Sequence, residues 1–220
     1  MKNKLTKIAS VAGVASILVL SVNTANAAMD KKISHAHIGH VTDGWKGTPE
    51  NVGLLTAAQQ EAEIANKHAN IALKKSGDLA WLKVHVGHVL NALDPKLQAK
   101  GPGLGYGVRQ ASLGVAKHIG LAATSQDASG NVKAHAIHVA TAPANIDGWI
   151  NEINELANAV KNASMADDAA AKVKKIAKIT RWIQNGHDKN GDGETTWVKG
   201  EGGLKQAAKH AMLMKSGEGL

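Results

Sequence analysis

The spelling His-x-x-His-Val occurs three times in this chain, beginning at His37, His85 and His135, with the starts 48 and 50 residues apart. Residues three apart on an α-helix lie on one side, their Cβ atoms within about 5–6 Å. Each pair can therefore aim two imidazoles at one point, provided the chain there is helical. A weaker element recurs beside it: Lys67-His68, Lys117-His118 and Lys209-His210, each in an Ala-rich stretch. His68 precedes its pair by 17 residues, and His118 precedes the third pair by the same 17. Recurrence near this period implies one supersecondary unit used more than once.

The pattern around the histidines is helical. Ala is abundant, β-branched runs are few, and apolar residues recur at three and four. The reading is an all-α, Ala-rich antiparallel bundle of five to seven helices with short connections. A short helix is expected over 33–43, with Ser34 as cap. Thr48, Pro49 and Glu50 open the next, which runs to about residue 75. Asp78 caps the central helix, which stops before Asp94-Pro95 and carries His85 and His88. Leu82, Val86, Val89, Leu90 and Leu93 give that helix a broad apolar surface, with only Lys83 and Asn91 plainly solvated. The Gly-rich stretch 101–107 reads as a connection between helices; no Lys-Ser/Thr follows it, so a phosphate loop is disfavoured. Further helices are expected over 108–125, from Val132 to a kink or break at Pro143, over 145–162, from Asp167 to Asn185 with Gly186 beyond the end, and over 201–215.

The first residues read differently. Lys2, Lys4 and Lys7 precede an apolar run over 8–22, and Ala25-Asn26-Ala27 supplies a small-residue exit. This is the pattern of a secretory signal peptide over 1–27, cut after Ala27 or Ala28. It leaves one helical domain over 28–220, in the periplasm or secreted. No other stretch is long and apolar enough to span a bilayer.

Composition narrows the chemistry. Cysteine is absent, which excludes disulfides, thiolate metal sites and Cys-anchored haem. Phe is absent and Tyr106 is the only Tyr, so the usual base-stacking platforms are missing. The net charge of +8, or +5 without the three leader lysines, is mild. The basic cluster Lys172, Lys174, Lys175, Lys178 and Arg181 fits a solvated helix face better than a nucleic-acid surface.

Nine histidines remain in two recurring contexts: His37, His40, His68, His85, His88, His118, His135, His138 and His210. A lone His on an apolar face is ordinarily a core residue with one satisfied hydrogen bond. Nine such rings need nine partners, and few acids or amides stand near them in sequence. A ligand role follows. Imidazole nitrogens bind Zn or Cu at about 2.0–2.1 Å, and a third His from a facing helix would complete a three-His site. Di-iron chemistry needs Glu-x-x-His spacings, which these pairs lack. His35 and His187 stand outside the repeats, and Met212 and Met214 flank His210; these four are possible additional ligands. The rival ligand is non-covalent haem held between two histidines, making the chain an electron carrier. Gly39, Gly87, Gly114 and Gly120 near the histidines suit either a flat cofactor or close helix packing. A His-ligated metalloenzyme ranks third, because no acid sits beside the pairs as a general base, and no catalytic residue is named. A structural bundle with satisfied core histidines ranks last. A redox or metal-delivery protein would be the natural partner, and nucleic acid would not.

One further stretch resembles a known element. Asp188-Lys189-Asn190-Gly191-Asp192-Gly193-Glu194 is similar to the start of an EF-hand calcium loop, spanning 188–199. The resemblance implies Ca2+ ligands from Asp188, Asn190, Asp192 and the Glu194 carbonyl. It departs from the family at its last position, where Lys199 replaces the bidentate acid; Glu201 is the available substitute.

Overall fold

The computed structural model describes residues 32–220. The expected signal peptide lies outside the described residues. Among the described residues seven α-helices form: α1 (Ile33–Thr42), α2 (Leu54–Leu73), α3 (Leu79–Leu93), α4 (Val108–Thr124), α5 (Gly130–Asn162), α6 (Ala166–Asn185) and α7 (Leu204–Gly217). No strand occurs among the described residues, and no helix there is long and apolar enough to cross a membrane.

Helix α2 lies against α3, α4 and α6, while α5 lies against α4, α6 and α7; α1 packs on α4. Small side chains permit this crowding. Ala58, Ala62, Ala65, Ala69 and Ala72 follow at steps of four and three along α2, each 0–1% exposed. A face of methyl groups lets the neighbouring backbones approach closely. Larger residues fill the remaining core, including Ile38, Leu82, Leu90, Leu93, Ile119, Ile146, Ile150, Ile153 and Ile183.

Several expected boundaries shift, each for a local reason. Thr48 does not cap a helix. Its hydroxyl donates to the carbonyls of Trp45 and Val52 at 2.8 and 2.6 Å, and Pro49–Asn51 makes a separate 3-10 turn before α2 begins. Ser34 lies inside α1, and a distant residue caps that helix: Asp127 accepts the amides of Ile33 and Ser34 at 2.5 and 3.1 Å. Pro143 does not break the chain. It lies buried within the 33-residue α5, so two expected helices are one. Proline removes one ladder bond, but both halves of α5 remain packed into the core through Val132, Val139, Ile146 and Ile153. The last helix starts at Leu204 and excludes Glu201, which is buried. Asn91 is buried too. Its amide donates to the Gln98 carbonyl at 2.8 Å and its oxygen accepts the Gly103 amide at 2.9 Å, whereas Val84 is the residue on α3 that is 54% exposed.

The Gly-rich connection does bind an anion, an internal one. Glu61 on α2, fully buried, accepts the backbone amides of Leu104, Tyr106 and Gly107 at 3.1, 3.0 and 2.9 Å. Glycine is required here because a Cβ at Gly103 would lie 2.9 Å from the Asn91 oxygen, and Gly107 has φ +83°. Glu61→Ala leaves these amides without their carboxylate and is expected to cost about 3 kcal/mol, read from urea denaturation.

A second carboxylate ties α1 and the start of α5 to the end of α7. Glu218 accepts from the Ser129 hydroxyl, from the Asn131 amide at 3.0 Å and from His35 Nε2 at 2.9 Å, with Lys32 at 3.7 Å. The Ser129 hydrogen bond leads in holding its carboxyl down from the ordinary 4.5 to about 2, and Asn131, His35 and Lys32 add to this against the opposing effect of burial. A carboxyl depressed in the folded state stabilises above its unfolded pKa, and that contribution is lost as pH falls through the folded value. The stability gap between wild type and Glu218→Gln should therefore close as pH drops from about 4.5 to 2, measured by denaturation at each pH.

Candidate metal centres

The nine repeat histidines gather into three groups of three, each built across one packed helix pair. His37 and His40 on α1 meet His118 on α4. His85 and His88 on α3 meet His68 on α2. His135 and His138 on α5 meet His210 on α7. In every group the ring from the Lys-His element is the hub. His118 Nδ1 lies 3.0 Å from His37 Nδ1 and 3.3 Å from His40 Nδ1. His68 Nδ1 lies 3.0 Å from His85 Nδ1 and 3.3 Å from His88 Nδ1. His210 Nδ1 lies 3.2 and 3.3 Å from the Nδ1 atoms of His135 and His138.

These separations suit a shared ion. Three nitrogens each about 2.0–2.1 Å from one tetrahedral centre stand about 3.3 Å apart. The same atom, Nδ1, faces inward in all nine rings, so that with a metal bound there Nε2 would carry the proton. Each group could thus hold one metal ion through three imidazoles. No carboxylate belongs to any of the three groups.

The helix positions explain the convergence. Each His-x-x-His pair lies along one side of its helix, flanked by core residues: Ile38 and Val41 on α1, Val86 and Val89 on α3, Ala136 and Val139 on α5. The pair therefore stands at the edge of the core, with His85 7% and His118 6% exposed and the others half-buried. Burial, and then the neighbouring imidazoles and adjacent lysine, push His68 and His118 from 6.5 down to about 4. Burial chiefly lowers His85, His138 and His210 as well, with neighbouring imidazoles adding to it. The neutral ring is the metal-binding form.

The two equal 17-residue offsets do not mean equal pairing. His68 does join His85, but His118 turns to α1 and leaves His135 to α7. The offset repeats, while the direction in which each hub faces does not.

Tryptophan is the component that the sequence pattern did not announce. Trp45, in the loop after α1, has its ring 4.5 Å from that of His118 and 4.8 Å from that of His40. Trp81 on α3 lies 4.2 Å from His85. Trp197, before α7, lies 4.1 Å from His138 and 5.3 Å from His210. The available signal was compositional: five Trp in a chain with no Phe and one Tyr.

The remaining candidates lie elsewhere. His35 donates to Glu218, and His187 stacks on Trp182 at 4.1 Å with ring planes 4° apart. Met214 is fully buried in the core and Met212 is 58% exposed. Of the four glycines, Gly114 serves close packing, since a Cβ there would lie 2.9 Å from Leu54; one at Gly39 or Gly87 makes ordinary contact and one at Gly120 meets nothing. In the 188–199 loop, Asp188 accepts the amides of Gly191 and Gly193, Asn190 that of Asp192, and Asp192 that of Glu194. Glu201 turns away from them to accept the amide and hydroxyl of Thr196 at 3.1 and 2.8 Å. The calcium expectation rests on the sequence pattern.

Comparison with family models, curated proteins and solved structures returns no match to this chain.

If the inward Nδ1 atoms are the ligands, long-range 1H–15N NMR of the Zn(II)-loaded protein should show nine rings metallated at Nδ1 and protonated at Nε2. His35 and His187 should keep their apo spectra. Metallation through Nε2 would contradict the geometry.

Proposed function

We propose that this protein stores or carries transition-metal ions, one in each of its three His groups, outside the cytoplasm. The observation that carries the proposal is the threefold recurrence of one geometry: a hub ring with its Nδ1 atom 3.0–3.3 Å from two others. A core histidine needs a single hydrogen-bond partner. Three rings facing nitrogen to nitrogen, with depressed proton affinity at the three hubs His68, His118 and His210, make poor hydrogen-bonding sense and good ligand sense.

The geometry favours an ion over haem. Axial histidines sit on opposite faces of a macrocycle, their nitrogens about 4 Å apart across the iron. Here a third ring joins each pair at shorter range, leaving no plane for a porphyrin. It also favours storage or transfer over catalysis. No acid joins any group as a general base, and three similar centres on three helix pairs suit capacity more than a single reaction. The leader read over 1–27 supports an exported protein, where loading and unloading would involve a delivery partner.

Equilibrium dialysis with elemental analysis tests this. The apo-protein should take up three ions per chain. His68→Ala, His118→Ala and His210→Ala should each remove one, while His35→Ala and His187→Ala remove none. Failure to take up any ion, or uptake indifferent to the hub variants, would sink the proposal.

A further inference from the structure

Building on that reading, we infer that the three centres are sites for Cu(I), each three-coordinate through Nδ1 and bounded by an indole ring. Three features of the centres converge on this ion.

The first is charge. Each donor set is three neutral imidazoles with no carboxylate. The residue before each hub is an exposed lysine: Lys67, Lys117 and Lys209. A divalent ion at the core's edge would keep its full double charge beside a cation. The desolvation cost of an ion rises with the square of its charge, so a monovalent ion is far easier to accommodate.

The second is coordination number. Zn(II) with three protein ligands completes its shell with water or substrate, and catalytic zinc sites keep that position open. Cu(II) prefers a tetragonal set of N and O ligands. Each group here offers three nitrogens and an aromatic neighbour in place of a fourth donor. Cu(I), a d10 ion with no tetragonal demand, is satisfied by such a shell.

The third is the placement of the indoles. An indole face is a soft, electron-rich neighbour that can share density with a soft monovalent ion such as Cu(I), whereas Zn(II) completes its shell with water or another hard donor, and each group has one indole against its ligands. The three are fixed by three different devices. Trp45 is held by a tight turn in which Thr48 donates through its amide and hydroxyl to the Trp45 carbonyl at 3.2 and 2.8 Å. Trp81 donates its Nε1–H to the Ile71 carbonyl at 3.1 Å. The Trp197 segment is pinned on either side, by buried Glu201 holding Thr196 and by Asn145 donating to the Val198 carbonyl at 3.2 Å. Two of the three come from loops and one from a helix, so the shared indole is not a by-product of one repeated backbone. Trp197 remains 39% exposed, so burial alone does not account for its position.

The test is an anaerobic titration of the apo-protein with Cu(I) against bathocuproine disulfonate, alongside Zn(II) against a zinc chelator, with indole fluorescence recorded. Three Cu(I) should be retained and the fluorescence quenched as they load. Trp45→Leu should weaken Cu(I) at one site by about tenfold and leave Zn(II) affinity within about twofold. Trp45→Phe, which keeps a ring, should fall between; it also serves if the Leu variant does not fold. Three Zn(II) retained with Cu(I) stripped by its chelator would overturn the cuprous inference and leave metal storage standing. Equal weakening of both ions in the Trp variants would overturn it too, showing the indoles to be packing alone. Neither ion bound would remove both readings together.

Discussion

The closeness of three imidazole nitrogens is the constraint around which the rest is arranged. Rings that approach to 3.0–3.3 Å cannot all be protonated, because the charges would repel across a partly desolvated gap. Burial already lowers the proton affinity of His68, His85, His118, His138 and His210, and neutral rings facing one another through the same atom share too few protons to satisfy themselves. Holding them there demands rigid helices at fixed spacing. Each group spans one helix pair, α1 with α4, α2 with α3, and α5 with α7. An ion bound at any of them would tie that pair together, so metal affinity and the stability of the packing are one linked quantity.

The surrounding structure supplies that rigidity without large side chains. The alanine face of α2 brings backbones close, and close backbones hold a hub ring such as His68 within reach of α3. Glu61 and Asn91 extend the control into the connection that leads to α4. Their hydrogen bonds to the 101–107 backbone fix where α4 begins, and α4 carries His118. At the other end, Glu218 ties Lys32 and His35 to Ser129 and Asn131, and so sets α1 against the start of α5. Glu218, which takes part in no metal group, thus positions the elements that form two of them.

The fold class and the nine ligand candidates could be read from the sequence because both depend on local periodicity. Apolar spacing of three and four marks a helix, and His-x-x-His places two rings on one side of it. What could not be read depends on contacts distant in sequence. The cap of α1 comes from Asp127, the binding partner of the Gly-rich loop is Glu61, and the continuity of α5 through Pro143 is enforced by neighbours on both halves. The pairing of His118 with α1 belongs to the same class: the 17-residue offset is identical for His68 and His118, yet only tertiary packing decides which way each hub turns. Trp45 and Trp197 were illegible for a further reason. They sit in loops whose shape is set by Thr48, Glu201 and Asn145, and no periodicity runs through a loop.

The three centres share their inner geometry but not their scaffolds. One is built within a helical hairpin, one across α1 and α4, which are separated in sequence, and one between a 33-residue helix and the C-terminal α7. Identical backbone would have explained identical ligands as inheritance of a repeat. Different backbone converging on three Nδ1 atoms and one indole points instead to a chemical requirement imposed at each place. That requirement includes an absence, since no carboxylate enters any group although the chain has 18 acidic residues to offer. An ion held there brings its whole charge into an already basic molecule. The arrangement is coherent only if that charge is small or is shared with an electron-rich neighbour, and the indole beside the rings is the neighbour in place.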